Sequence, residues 1–297
     1  MRINPDSTAD LIAALARTQQ AQETALAQIS SGKRIVAPSD DPAGMAEWIR
    51  NRSRATNNDE FSHSIGTLKA MFHTADSTLN SVVSSLERAV SLGVRGANGS
   101  LSVENREAIA LEVKGIRENI VGLANVAING TYIFAGTETR TKPFVSDADA
   151  SSMVRYQGNQ GTCQVPIGES RLMQMNVPGD QIFAAAEADV FQSLQDLITS
   201  LEAGGADAIS VATSRVRAAF DHVSGQRVFY GSALAQMASE ETYLANEKLE
   251  LARRENDIAG VDEIEAISRF VNAQAAHAAA LEAAGKVSRL SLLDYIQ

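Results

Sequence analysis

Between residues 209 and 258 one position in seven is apolar eight times in succession: Ile209, Val216, Val223, Tyr230, Met237, Leu244, Leu251 and Ile258. A strict seven-residue repeat keeps one face of a helix on its partners only if the helices coil about each other. A continuous helix of this span would be about 75 Å long at ~1.5 Å per residue. That exceeds an ordinary globular core and suits a rod. The second position of the repeat is mixed: Thr213, Phe220, Arg227, Leu234, Glu241, Lys248 and Glu255.

Two earlier segments carry a matching pattern. Phe61, Ile65, Leu68, Phe72, Ala75, Leu79, Val82, Leu86 and Ala89 follow alternating steps of four and three, as do Ile109, Val113, Ile116, Ile120 and Leu123. Between them "GANGSLSVENRE" (Gly96 to Glu107) holds turn residues. Ser102 there is placed to cap a helix, with Glu104 and Glu107 near its positive end. Aromatic residues make up only 5% of the chain, so long helices must pack through small and aliphatic side chains. The expected fold is mainly α: a long antiparallel heptad-patterned helical rod, drawn from residues 45–128 and 208–258.

The middle of the chain changes period. "NGTYIFAGTETRTKPFV" (Asn129 to Val145) and "MVRYQGNQGTCQVPIG" (Met153 to Gly168) set short β-prone runs around Gly-containing turns. These are hairpin signals. They predict a small β-rich domain over residues 132–186, inserted into the rod. Near Glu187 the helical pattern resumes through Val190, Phe191, Leu194, Leu197, Ile198 and Leu201, and "AGGAD" (Ala203 to Asp207) ends it.

The two ends are weaker. Residues 6–31 have apolar points at Leu11, Leu15, Leu26 and Ile29, separated by Thr18, Gln19, Gln20 and Gln22. Residues 262–293 place Ile264, Ile267, Val271 and Leu281 in heptad phase, with Gln274 and Ala278 between them, and Leu290, Leu292 and Leu293 close the apolar pattern. A marginal helix does not hold itself together in water. Each end therefore needs a partner: the other end, and the same surface on neighbouring copies. The expected division is terminal helices at 1–43 and 261–297, a rod at 44–131 and 187–260, and the β-rich domain. Leu11, Leu15, Ile29, Ile267, Val271, Leu281, Leu290 and Leu293 are the candidate polymerisation residues.

Chemistry is sparse. The formal net charge is −10 with a pI near 5.0, and no Lys/Arg cluster offers a nucleic-acid footprint. No run approaches the ~18 apolar residues that span a bilayer. The start, "MRINPDSTAD", carries Asp6 and Asp10 where a cleaved leader needs an apolar core. On these grounds alone the address is cytoplasmic. "GKR" (Gly32 to Arg34) lacks the earlier Gly and the following Ser or Thr of a phosphate loop. It reads instead as a helix stop, with Lys33 and Arg34 at the negative end. In "SDDPAG" the adjacent Asp40 and Asp41 could serve as acid and base, but Asp41 before Pro42 is what a capped helix start looks like. Ser30–Gly44 is then a joint between two helices, fixed by Gly32, Lys33, Arg34, Asp40, Asp41 and Pro42. His63, His73, His222 and His277 are scattered without metal-ligand spacing. The lone Cys163 reads as a packed thiol. No enzyme, cofactor or metal site is expected.

"SSGKRIVAPSDDPAGMA" (Ser30 to Ala46) resembles the N-terminal signature of the bacterial flagellins and their relatives. "NGTYIFAGTETRTKPF", "YQGNQGTCQVPIGES" and "KVSRLSLLDYI" resemble the hook–filament junction members of that family more than its filament members. The resemblance implies a structural protein whose paired N- and C-terminal helices form the inner tube of the axial structure. A helical rod would surround that tube, with the β domain outermost. It further implies self-association and two neighbours, a hook-associated protein on the hook side and flagellin on the filament side. Export through the flagellar secretion apparatus without a cleaved signal, aided by a chaperone, would place the protein outside the cell. The alternatives are a small flagellin that forms the filament itself and a ligand-binding coiled-coil protein using Asp40, Asp41 or Cys163.

Overall fold

The computed structural model describes residues 6–293, with side chains over 9–286. The described residues form seven helices and six short strands in the order α1 (Asp6–Ser31), α2 (Pro42–Gly96), α3 (Val103–Ala124), β1 (Ala127–Ile128), β2 (Thr131–Tyr132), β3 (Phe144–Ser146), β4 (Val154–Tyr156), β5 (Gln164–Gly168), β6 (Arg171–Gln174), α4 (Gly179–Phe183), α5 (Val190–Ala203), α6 (Ala206–Ala259) and α7 (Glu263–Leu293). They divide into two compact units. One takes Asp59–Leu244; the other takes the residues up to Asn58 and from Ala245 onward.

In the central unit the heptads do what their spacing predicts. Ile65, Leu68, Phe72, Ala75, Leu79, Val82, Leu86 and Ala89 of α2 are all buried, as are Ile209, Val216, Val223, Tyr230, Met237 and Leu244 of α6. The two stretches run antiparallel: Lys69 pairs with Glu241 at 2.7 Å and Asp76 with Arg227 at 2.9 Å. The second inward column of α6 is shared between two adjacent positions. Ala212, Ala219, Ala233 and Glu240 are buried, and of the mixed column read from the sequence Thr213 is buried while Phe220 and Leu234 pack against the core. Alanine lets a neighbouring element come close, so a column of alanines is a packing surface that a search for large apolar residues passes over. Glu240 is only 3% exposed and is paired by Arg171 of β6, as a buried carboxylate must be. Tyr230 lies edge-on to Phe72 and Phe229, each at 5.3 Å between ring centres. Its hydroxyl is buried without a partner, and burial pushes the phenol's pKa up. Tyr230→Phe removes that orphan group and keeps the ring. We expect it to raise stability by about 1 kcal/mol, read as a higher urea midpoint.

The inserted segment makes three separate two-stranded antiparallel ladders, β1–β2, β3–β4 and β5–β6. It begins at Ala127, earlier than the residue 132 expected, because Asn129 and Gly130 both take positive φ (51° and 80°) and close a two-residue turn. Ladders this short do not stand alone in water. An aromatic cluster holds them: Phe144 meets Phe183 at 5.4 Å and Phe191 at 5.3 Å, and Phe134 meets Phe183 at 5.3 Å. Helix α5 packs on α3. Asp189 caps its start, accepting from the Gln192 amide at 2.8 Å, and Gly204 ends it at φ 84°. Ser102 caps α3 through the Asn105 amide, as its position in the sequence predicts.

In the other unit α1 packs along α7. On α1 the shielded column is Leu11, Leu15, Thr18, Gln22, Ala25 and Ile29; on α7 it is Ala266, Phe270, Ala273, His277, Ala280 and Ala284. Thr18 Oγ1 and His277 Nδ1 meet at 3.1 Å between them. Ile264, Ile267, Val271 and Leu281, the apolar points of α7 read from the sequence as needing a partner, lie off that column. Ile264, Ile267, Val271 and Leu281 are 83%, 51%, 54% and 50% exposed. Alanine again takes the inside, and the larger apolar residues are left facing out.

Candidate assembly surface

The joint after α1 brings together Gly32, Arg34, Asp40, Asp41 and Pro42. Helix α1 stops at Ser31 because Gly32 takes φ 66°, a left-handed setting that glycine reaches without strain. The chain then runs beside the link that joins α6 to α7. Arg34 N donates to Ala259 O at 2.7 Å and Val261 N to Gly32 O at 3.2 Å, making an antiparallel bridge of Lys33 with Gly260. Gln28 Nε2 donates to Arg34 O at 2.8 Å and Arg34 Nη2 to Ile258 O at 2.9 Å. Both links between helices are therefore one paired element.

The two adjacent carboxylates face different tasks. Asp40 Oδ2 accepts from the amides of Val36 (3.0 Å) and Ala37 (2.8 Å) and shapes the loop. Asp41 caps α2: its Oδ1 accepts from Gly44 N at 2.9 Å, its Oδ2 pairs with Arg34 at 3.0 Å, and Pro42 opens the helix. Such an arrangement serves geometry, not proton transfer. The Gly44 amide first, and Arg34 next, hold the Asp41 carboxyl below its ordinary pKa. A lowered carboxyl stabilises the fold above its ordinary pKa, and that support is lost as pH falls through the lowered value. Asp41→Ala should therefore destabilise the joint at neutral pH and make little difference in strong acid. A urea titration followed by tryptophan emission reads this.

Sequence reasoning missed the other half of the joint. Trp48 on α2 is flanked by Lys33 Nζ, 4.6 Å from its ring centre, and by the Arg52 guanidinium at 5.3 Å. Its Nε1 donates to Glu255 Oε1 at 3.0 Å, and Lys33 reaches the same oxygen at 3.5 Å. Asp262 caps α7, accepting from Ile264 N at 3.0 Å and Glu265 N at 3.1 Å. A signal was available for each: Trp48 is the single tryptophan in the chain, and Asp262 with Glu265 has capping-box spacing.

The candidate polymerisation residues separate into three groups. Leu11, Leu15 and Ile29 lie on the shielded face of α1, against α7. Ile267, Val271 and Leu281 form an outward column on α7 with Ile264. Leu290 and Leu293 fall on the last turns of α7, with side chains outside the described residues; Leu292 shares that position, and Tyr295 and Ile296 lie beyond the described chain.

In the central unit, two stretches quoted from the sequence meet. Tyr156 Oη donates to Phe134 O (3.1 Å) and Asn159 O (2.9 Å), Asn159 N donates to Ala135 O at 3.2 Å, and Thr137 N to Asn159 Oδ1 at 2.8 Å. Burial first, then Asp180, pushes the Tyr156 phenol up to about 12. Gly136, at φ 68°, has no room for a side chain: a Cβ there would lie 2.1 Å from Asn159 O. "YIFAGTE" and "YQGN" are thus one interlocked corner. Among the described residues no group of three His, Cys, Asp or Glu side chains could hold a metal, and no helix is long and apolar enough to cross a membrane.

Residues 7–139 match the family described as the bacterial flagellin N-terminal helical region. Flagellar hook-associated protein 3 of Escherichia coli (strain K12) is 26% identical over 293 residues, covering 90% of each chain. In fold, the chain is similar to a putative flagellar hook-associated protein from Vibrio parahaemolyticus, with a TM-score of 0.69 at 21% identity over 74% of this chain and 100% of that one. It is also similar to the flagellar junction protein FlgL from Legionella pneumophila, with a TM-score of 0.62 at 15% identity over 72% and 100%.

Proposed function

We propose, from the premise that this chain carries the N-terminal helical region of the bacterial flagellins, that it is a structural component of the flagellum, the junction protein between hook and filament. The observation that carries the reading is the outward column on α7. Four large apolar residues at half exposure or more, on one face of a helix pair, form the kind of surface a monomer covers by association. The end-to-end match to hook-associated protein 3 supports the junction over the filament. The terminal helices self-associate with neighbouring copies. A hook-associated protein and flagellin are the neighbours on the two sides, and the protein works outside the cell after export by the flagellar secretion apparatus with a chaperone. Its role is not catalytic, because Asp40 and Asp41 are committed to backbone amides and an arginine.

Deletion of the gene tests this. The expected cells bear hooks without filaments and release flagellin into the medium. A small flagellin is the second reading, favoured by the flagellin match over 7–139. In that case deletion leaves no released flagellin, since the missing protein is the filament subunit.

A further inference from the structure

The turn between α2 and α3 holds a reactive pair that the assembly surface does not use. The chain has two Asn-Gly pairs, Asn98-Gly99 and Asn129-Gly130, and all four residues are exposed. An asparagine before glycine loses its side-chain amide when the next backbone nitrogen attacks its carboxamide carbon, Cγ. Glycine has no Cβ to hinder that approach. The two pairs are held differently. At Asn98 the carboxamide Oδ1 accepts from the Ser100 amide at 3.2 Å and from the Ser100 hydroxyl at 2.9 Å. Attack on Cγ puts negative charge on that same oxygen, so both donors already sit where charge develops, as in an oxyanion hole. The nucleophile is free as well: among the described residues the Gly99 N–H donates to no group. At Asn129 the pair is instead the two-residue turn of the β1–β2 ladder, with φ 51° and 80° and Ile128 paired to Thr131. Among the described residues no donor meets its carboxamide. Ring closure there has to twist a turn that the ladder holds at both ends.

We infer that Asn98 is a self-modification site, converted in the folded chain to aspartate and isoaspartate through a cyclic imide, and faster than Asn129. Gly99 N gives its proton to the solvent and bonds to Asn98 Cγ. The Cγ–Nδ2 bond breaks, and Nδ2 takes a proton from the solvent and leaves as ammonia. One water then opens the imide. Attack at Cγ restores the main chain and leaves aspartate; attack at the main-chain carbonyl carbon leaves isoaspartate, with the chain running through the former side chain. The balance is one water in and one ammonia out, with no oxidant or cofactor. Each conversion adds one negative charge to the turn. That charge lies just ahead of the positive end of α3, where a carboxylate is favoured, and Ser102 still caps the helix. The folded chain therefore keeps the product.

The experiment holds the full chain in warm, mildly alkaline buffer and follows both sites by peptide mapping and mass spectrometry, with isoaspartate read by enzymatic methyl transfer. Asn98 is expected to convert about tenfold faster than Asn129, the worth of ~1.4 kcal/mol at the barrier. In urea strong enough to unfold the chain, that gap should close. Ser100→Ala removes the hydroxyl and leaves the amide donor; it should slow Asn98 several-fold in the folded chain and leave Asn129 unchanged. Gly99 lacks a positive φ and has open space around it, so Gly99→Ala should keep native helix content by far-UV circular dichroism and nearly stop the reaction. Equal rates at the two sites in the folded chain would overturn the inference. So would a Ser100→Ala chain of native helix content in which Asn98 converts at the wild-type rate. Neither outcome touches the junction reading, which gene deletion tests separately.

Discussion

Cells that carry Ile267→Glu with Val271→Glu as their sole copy should make hooks and lose their filaments, while the purified variant unfolds at the wild-type urea midpoint. Both side chains are about half exposed on the outer face of α7, away from the column that packs on α1. A carboxylate there meets water in the monomer and costs little. In an assembly that buries the same face, two unpaired charges meet an apolar neighbour, and a buried charge without a partner is expensive. The effect is therefore close to all or none in assembly and near zero in stability. Normal filaments on these cells would show that the outer column of α7 is not an assembly face. A lowered midpoint would show that the column belongs to the monomer's own packing.

Gly136→Ala is the largest single loss of stability we expect. The residue holds φ 68°, and its missing Cβ would lie 2.1 Å from a backbone oxygen of residue 159. Left-handed backbone costs a non-glycine residue ~1–2 kcal/mol, and forcing packed backbone apart adds ~1–3 kcal/mol. Together they give about 2–5 kcal/mol. Gly32→Ala is the matched control. Gly32 has nearly the same φ, 66°, but nothing within 4 Å of the added carbon, so it should lose only the conformational part, about 1–2 kcal/mol. Urea unfolding of the two variants separates strain from collision. If Gly136→Ala costs no more than Gly32→Ala, the corner between "YIFAGTE" and "YQGN" yields freely and is not the rigid element described above.

Period was legible in the sequence wherever the inward residues are large. The seven-residue column from Ile209 to Leu244 and the four-three column of α2 were readable because Leu, Ile, Val and Phe have no other reason to recur at that spacing. The stop at Gly32 and the start at Asp41-Pro42 were readable because positive φ and N-capping each select few residue types. Less legible was the inward phase on α7 and on the second column of α6. There most of the shielded residues are alanines, which the chain also uses freely on exposed faces: Ala275, Ala276, Ala278 and Ala279 are all exposed. A small side chain reveals helix propensity but not which side is inside. The Trp48 contacts were illegible for another reason: Lys33, Trp48 and Glu255 meet only because two links pair, and that pairing involves backbone atoms that every sequence has.

The paired links also set how load passes through the subunit. One link, between α1 and α2, has ten residues (32–41); the other, between α6 and α7, has three (260–262). At roughly 3.3–3.6 Å per residue, the first could pay out to about 35 Å and the second to only about 10 Å. A pull on the terminal helices therefore tightens the short tether first and leaves the long one slack. The backbone bonds of Arg34 and Val261 tie the two links together, so the pair must part before the longer strand can pay out to its full length. Under torque such a subunit behaves as a stiff strut with a safety line beside it: the short link sets the compliance, and the long one limits how far the terminal helices can be drawn away if the short one gives.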